Sequence, residues 1–191
     1  MRLWLVLALL APSLARAEPH PIPIYLAPAE ANDLALARSA FDSWQRAAGD
    51  ALRFVPAPEK SALLRLYWVG HGRAGGFGEM KPIEVNGRSG AAVFVNTEME
   101  LLGPEISGRA RTDRLYRDSI VYLTCVHEIG HGLGVEHTAE YADIMYSFQY
   151  GGDIPAYFAR YRQRLQSRAD IARTDAFSDG DLAQLRTLHF R

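Results

Sequence analysis

The residues best suited to chemistry lie together in one eleven-residue stretch, HEIGHGLGVEH, which holds three of the chain's six histidines. His127 and His131 are four positions apart, so on a helix their imidazoles lie on one face and can bind a single metal ion. Glu128 is rotated from His127 by about 100° on a helix, where its carboxylate can reach a water molecule at the metal without ligating the metal itself. Gly134 can adopt the left-handed conformation that ends a helix. The resulting turn would allow His137 to become a third ligand.

Three neutral imidazoles on one zinc ion leave a further position open to water, as in catalytic rather than structural zinc sites. Zinc lowers the pKa of such a water molecule and polarises a carbonyl group, and Glu128 can accept the proton and pass it to a leaving amine. The alternative is that these are surface histidines on a charged helix. The match to zinc-ligand spacing favours the metal site.

Hydrophobic periodicity predicts an α+β chain, with most strands in the first half and helices in the second. The predicted strands are 22–26, 52–55, 63–69, 77–85 and 91–95, and the predicted helices are 29–48, 113 to 132 or 134, 155–169 and 179–188. Strand 63–69 is the candidate central strand, whereas strand 22–26 lies among prolines typical of an edge or opening strand. Residues 96–112 have little periodicity and are predicted to form a loop. Ser178 is a candidate N-cap of the last helix.

The composition restricts the class of protein. Residues 1–17 have a basic start, a short apolar run and a final Ala-Arg-Ala, which predicts a secretory signal followed by one domain at 18–191. No stretch approaches the eighteen or so apolar residues of a membrane span, and the formal net charge of −1 argues against a nucleic-acid partner. Cys125 is the only cysteine, so no internal disulfide is expected, and we interpret it as a buried core thiol. The chain is therefore expected to be soluble and secreted or periplasmic.

The stretch HEIGHGLGVEH, followed by Asp-Ile-Met-Tyr at 143–146, resembles the metzincin zinc endopeptidases and, within them, the matrixins. The resemblance implies that Met145 lies beneath the three imidazoles as an apolar floor and does not bind the metal. It also implies a zincin-like α+β fold, with a twisted, mostly parallel five-stranded sheet, an antiparallel edge strand, an active-site helix and a C-terminal helix. The edge strand, placed near 76–81, would pair with an extended substrate. The expected substrate-binding residues are Gly76, Phe77, Gly78, Tyr146 and Tyr150.

Several positions depart from the matrixin pattern. Matrixins are held latent by a propeptide cysteine, but no cysteine precedes the first predicted strand, so we expect a separate protein inhibitor or activation after export. The sequence His-Gly-Arg at 71–73 replaces a His-Gly-Asp metal element, and arginine cannot ligate, so a single catalytic zinc ion is expected, with calcium as a further option. Ser147 stands where astacin-like relatives place a tyrosine that can touch zinc, so no such ligand is expected. Matrixins shape a specificity pocket with a proline and a tyrosine shortly after the methionine, for which Tyr146 or Tyr150 could substitute.

The segment 155–169 leaves two interpretations open. Its arginines and aromatic residues could form a basic docking surface, or they could belong to a solvated amphipathic helix whose aromatic side chains pack on the domain.

Three functional hypotheses remain. The first is a monomeric zinc endopeptidase that cleaves protein or peptide substrates with Glu128 as general base. The second is a zinc hydrolase that acts on a non-protein amide, such as peptidoglycan, or on small peptides. The third is a zinc-binding module without turnover, which the presence of Glu128 disfavours.

Overall fold

The structure is a computed structural model that describes residues 20–70 and 76–188. The predicted signal peptide and the His-Gly-Arg element at 71–73 lie outside the described residues. The strands are β1 (His20–Leu26), β2 (Leu52–Pro56), β3 (Leu64–Val69), β4 (Gly78–Val85) and β5 (Arg88–Asn96). The helices are α1 (Ala31–Ala48), α2 (Pro104–Thr112), α3 (Arg114–Leu133), α4 (Ile154–Arg162) and α5 (Asp179–Thr187). Within this part of the chain, none of the helices is long and apolar enough to cross a bilayer.

The five strands form one sheet in the order β2-β1-β3-β5-β4. All neighbouring strands are parallel except β4, which runs antiparallel to β5 at the edge of the sheet. This arrangement confirms the predicted α+β fold with its mostly parallel sheet and antiparallel edge strand. The apolar β3 occupies the centre, as predicted, and its Leu64 and Leu66 side chains are buried.

The proline-containing strand β1 lies inside the sheet, so the edge-strand interpretation of this segment is wrong. Pro21 and Pro23 pair in register with β2, whereas pairing with β3 begins only at Ile24. The proline half of β1 therefore has one strand partner, which is why a residue without an N–H donor is tolerated there.

Helix α1 packs against α3 and anchors it in the core. Trp44 of α1 is fully buried and donates its indole N–H to the carbonyl oxygen of Val126 in α3, at 2.8 Å. Cys125 of α3 is also fully buried, and burial raises the pKa of its thiol. The prediction of a core thiol is confirmed.

The predicted loop at 96–112 is wrong, because a 3₁₀ turn (Met99–Leu102) and α2 occupy most of it. Pro104 stands in the first turn of α2, a position that a helix tolerates well. Only the buried Ile106 and Ala110 mark an apolar face among polar residues. This stripe is too narrow to produce a clear helical period in the sequence.

The predicted helix 155–169 ends early, because α4 stops at Arg162. The Arg162 side chain donates to the carbonyl oxygen of Leu165 at 2.9 Å, and a separate 3₁₀ turn follows at 168–170. Tyr157, Phe158 and Tyr161 of α4 are buried. Their burial agrees with the amphipathic-helix interpretation of this segment.

Candidate metal centre

Helix α3 positions the first two histidines, and its two ends are set by local sequence signals. The Asp113 side chain accepts from the N–H of Tyr116 and caps the helix start. At the other end, Gly134 adopts the left-handed conformation with φ of 93°, as predicted. The chain then reverses, so His137 meets His127 and His131.

The three imidazoles converge on one point. Their Nε2 atoms are 3.0–3.1 Å apart in all three pairs. The Nδ1 atom of His127 lies 2.7 Å from the carbonyl oxygen of Ile144, and that of His131 lies 2.9 Å from the carbonyl oxygen of Val135. A carbonyl oxygen can only accept, so both Nδ1 atoms carry the proton and both Nε2 atoms carry a free lone pair.

These donors fit a zinc ion. Two Nε2 lone pairs cannot hydrogen-bond to each other, so their close approach is favourable only around a shared cation. Zn–N bonds of about 2.0–2.1 Å in a tetrahedral site place the nitrogen atoms about 3.3 Å apart, close to the separations found here. Burial lowers the pKa of all three histidines, that of His127 to about 3, and neutral imidazole is the form that binds metal.

Glu128 is buried beside these histidines in the wall of a cavity of about 570 Å³. Burial and, less strongly, the negative charge of Glu79 together raise the pKa of its carboxyl group to about 7. No histidine side chain hydrogen-bonds to Glu128 among the bonds of the described residues. Glu128 therefore lines the cavity beside the histidines without a histidine partner among the described residues.

Met145 packs against α3. It is fully buried, and a Cβ atom at Gly130 would lie 2.6 Å from its sulfur. The glycine thus allows the methionine to approach the backbone of α3 directly. The position beneath the three imidazoles that the resemblance implied for Met145 stays a prediction.

The segment that carries Met145, residues 141–145, is anchored from two helices. The carboxylate of Asp181 in α5 accepts from the N–H groups of Ile144 and Met145 at 2.9 and 3.2 Å. The hydroxyl of Tyr157 in α4 lies 2.8 Å from the carbonyl oxygen of Asp143. Sequence reasoning missed both anchors. The pattern Ser178-x-x-Asp181 is a capping-box signal that pointed to the helix start, whereas no local pattern marked Tyr157.

The structure brings most of the predicted substrate-binding residues to the cavity. Gly76, Phe77, Gly78 and Tyr146 line it together with the histidines and Glu128. Tyr150 is not part of the lining and is 58% exposed. Glu79 and Met80 also line the cavity and belong to the strand near 76–81 that was predicted to pair with substrate. The lining residues that sequence reasoning did not name as contacts are Leu123, Thr124, Ile144, Ser147, Phe148, Ile154, Tyr157 and Phe158.

Gly78 allows β4 to lie directly against the active-site helix. A Cβ atom at this position would be 2.8 Å from side-chain carbons of both Glu128 and Thr124, and 2.9 Å from the carbonyl oxygen of Phe94. We expect Gly78→Ala to push β4 away from α3 and to lower the free energy of unfolding by about 1–3 kcal/mol. Chemical denaturation measures this change.

Gly108→Ala is the matched control, since Gly108 lies inside α2 and a Cβ atom there has its nearest neighbour 3.9 Å away. We expect this variant to be as stable as the wild type, or more stable by about 0.5–1 kcal/mol, because alanine favours the helix. Equal stability of the two variants would contradict the close approach at Gly78.

The matrixin family model matches residues 26–154, which is more than half of the chain. This protein belongs to the matrixin family. No curated protein matches the chain significantly. Membership supports a zinc metallopeptidase-type function on protein or peptide substrates, and the three-histidine cluster could bind the zinc. Neither the family match nor the described residues support calcium.

Proposed function

We propose that the chain is an exported zinc endopeptidase in which His127, His131 and His137 hold the metal and Glu128 acts first as general base and then as general acid. The observation that carries the proposal is the convergence of three Nε2 atoms within 3.1 Å of one another, beside a buried carboxyl group in a cavity. Family membership supports the same function.

Zinc bound by the three histidines would supply a Lewis acid for the substrate carbonyl and lower the pKa of the attacking water. Glu128 accepts the proton of that water at a carboxylate oxygen and then delivers it to the nitrogen of the leaving amine. The Nδ1–H bonds of His127 and His131 to backbone carbonyl oxygens keep both rings in the tautomer that binds metal.

The antiparallel edge strand β4 positions the substrate. Its outer side faces no strand among the described residues, so an extended peptide can pair with its backbone. Gly76 to Gly78 bring this edge to the cavity that holds Glu128. A substrate side chain would enter a cavity lined largely by apolar residues, which include Phe77, Phe148 and Phe158.

Export is part of the proposal and is supported by the sequence of residues 1–17, which has the basic start, apolar run and small-residue end of a secretory signal. The proposed location is the periplasm or the extracellular space.

The experiment that tests the proposal measures zinc content and casein cleavage by purified residues 18–191. We expect about one zinc ion per chain, casein cleavage that stops when a chelator removes the metal, and recovery on addition of zinc. Peptidoglycan and short peptides are assayed in parallel. Cleavage of these substrates alone would favour the non-protein amide hydrolase, zinc without turnover would favour a binding module, and a protein that binds no zinc would contradict the proposal.

A further inference from the structure

The backbone carbonyl groups that precede Met145 are bound by two side chains of α4. The Tyr157 hydroxyl lies 2.8 Å from the carbonyl oxygen of Asp143 and 3.2 Å from that of Ile144, so its single proton is shared between them. Tyr157 is buried, and burial raises the pKa of its hydroxyl, which keeps the group protonated and able to donate.

Arg160, one turn of α4 from Tyr157, binds the neighbouring carbonyl groups. Its guanidinium donates to the carbonyl oxygen of Tyr141 and, at 3.0 Å, to that of Ala142. The guanidinium carbon also lies 4.1 Å from the centre of the Tyr157 ring, so the two side chains stack. We call Tyr157 and Arg160 the α4 clamp.

The α4 clamp is connected to His127 through one backbone oxygen atom. The carbonyl oxygen of Ile144 accepts from the Tyr157 hydroxyl and also from Nδ1–H of His127, at 2.7 Å. The position of this oxygen sets the direction of the His127 ring and of its Nε2 lone pair. By holding the Ile144 carbonyl group in place, the Tyr157 hydroxyl therefore affects the orientation of the His127 ring.

We infer that Tyr157 is a positioning residue of the zinc site, which holds the Ile144 carbonyl group so that His127 meets the metal in the correct orientation. The inference rests on the zinc site of the proposed function. The family match ends at residue 154, where α4 begins, so the clamp comes from a part of the chain that the family model does not match. Tyr157 also lines the cavity, so the same side chain supports a ligand and contacts the space for substrate.

The test compares Tyr157→Phe with Tyr161→Phe. Both tyrosines are 3% exposed and both lie on α4, but the Tyr161 hydroxyl lies 3.0 Å from the carbonyl oxygen of Thr174, away from the zinc site. Each variant loses one buried hydroxyl and keeps its ring. Zinc affinity is measured by competition with a chelator, and the visible spectrum of the cobalt-substituted protein reports the geometry of the ligands.

We expect Tyr157→Phe to weaken zinc binding about tenfold, which is the lower end of the effect of removing partners around metal ligands, and to alter the cobalt spectrum. Tyr161→Phe should keep the zinc affinity and the cobalt spectrum of the wild type, even if both variants lose the same thermal stability. Unchanged affinity in Tyr157→Phe, or an equal loss in both variants, would overturn the inference.

Arg160→Gln provides a second variant should Tyr157→Phe fail to fold. It removes the guanidinium that stacks on the Tyr157 ring and binds the carbonyl groups of Tyr141 and Ala142, so Tyr157 loses its support and we expect this variant to bind zinc more weakly as well. An unchanged zinc affinity in Arg160→Gln would then overturn the inference. A protein that binds zinc with the expected pattern but cleaves no peptide would contradict the proposed function alone, whereas a protein without zinc would contradict both.

Discussion

Replacing Glu128 with glutamine is expected to lower kcat for peptide hydrolysis by about 10²–10⁴-fold, the range in which a positioned general base contributes. Glutamine has nearly the same shape and preserves the packing of this buried side chain, but it cannot accept a proton from the attacking water. The three histidines are untouched, so the zinc content should equal that of the wild type. Initial rates on a fluorogenic peptide and metal analysis of the same preparation measure the two quantities.

Glu136→Gln is the control for this variant, because it makes the same chemical change within the same eleven-residue stretch. Glu136 is exposed and does not line the cavity. The rate of peptide hydrolysis by Glu136→Gln should stay within about twofold of the wild-type rate, as for most surface substitutions that touch no functional group. Wild-type hydrolysis by Glu128→Gln would show that another group accepts the proton. Loss of zinc in that variant would instead make Glu128 part of the metal site.

The three-histidine cluster could be predicted from sequence because its geometry is almost entirely local. His127 and His131 share one helix, where the 3.6-residue period fixes their relation. His137 follows after a turn that Gly134 makes by adopting positive φ. The strands were also predictable, since their apolar runs have clear patterns, whereas the mostly parallel arrangement with an antiparallel edge strand followed from the family resemblance rather than from periodicity.

The support of the site could not be predicted in the same way. Tyr157 acts on His127 through the backbone of Ile144. Tyr157 and Ile144 are 13 positions apart in the chain, and only tertiary packing brings them together. Tyr150 differs from Tyr157, because its place shortly after Met145 in the sequence suited a pocket residue, yet it does not line the cavity and is mostly exposed. Spacing in sequence predicts contacts within one element far better than contacts between elements.

The anchor from α5 leads to the prediction with the largest expected effect on stability. Asp181 is fully buried, and its carboxylate accepts from the N–H groups of Ile144, Met145 and Ser178 at 2.9, 3.2 and 2.8 Å. Asp181→Ala would leave two buried donors and one part-buried donor without their partner, and an unsatisfied buried donor costs about 1–3 kcal/mol. Because such costs are not additive, we expect a loss of about 4 kcal/mol in the free energy of unfolding and a fall in Tm of about 10 °C.

Asp179→Ala separates this effect from the general benefit of an acidic residue at a helix start. Both aspartates lie in the first turn of α5 and interact with the helix dipole, but Asp179 is exposed. Its loss should cost less than about 1 kcal/mol. The N–H of Met145, which Asp181 accepts from, lies in the same peptide unit as the Ile144 carbonyl oxygen that orients His127, so Asp181→Ala should bind zinc more weakly than Asp179→Ala. Equal Tm values for the two variants, measured by thermal unfolding, would show that the carboxylate of Asp181 does not anchor the segment 141–145.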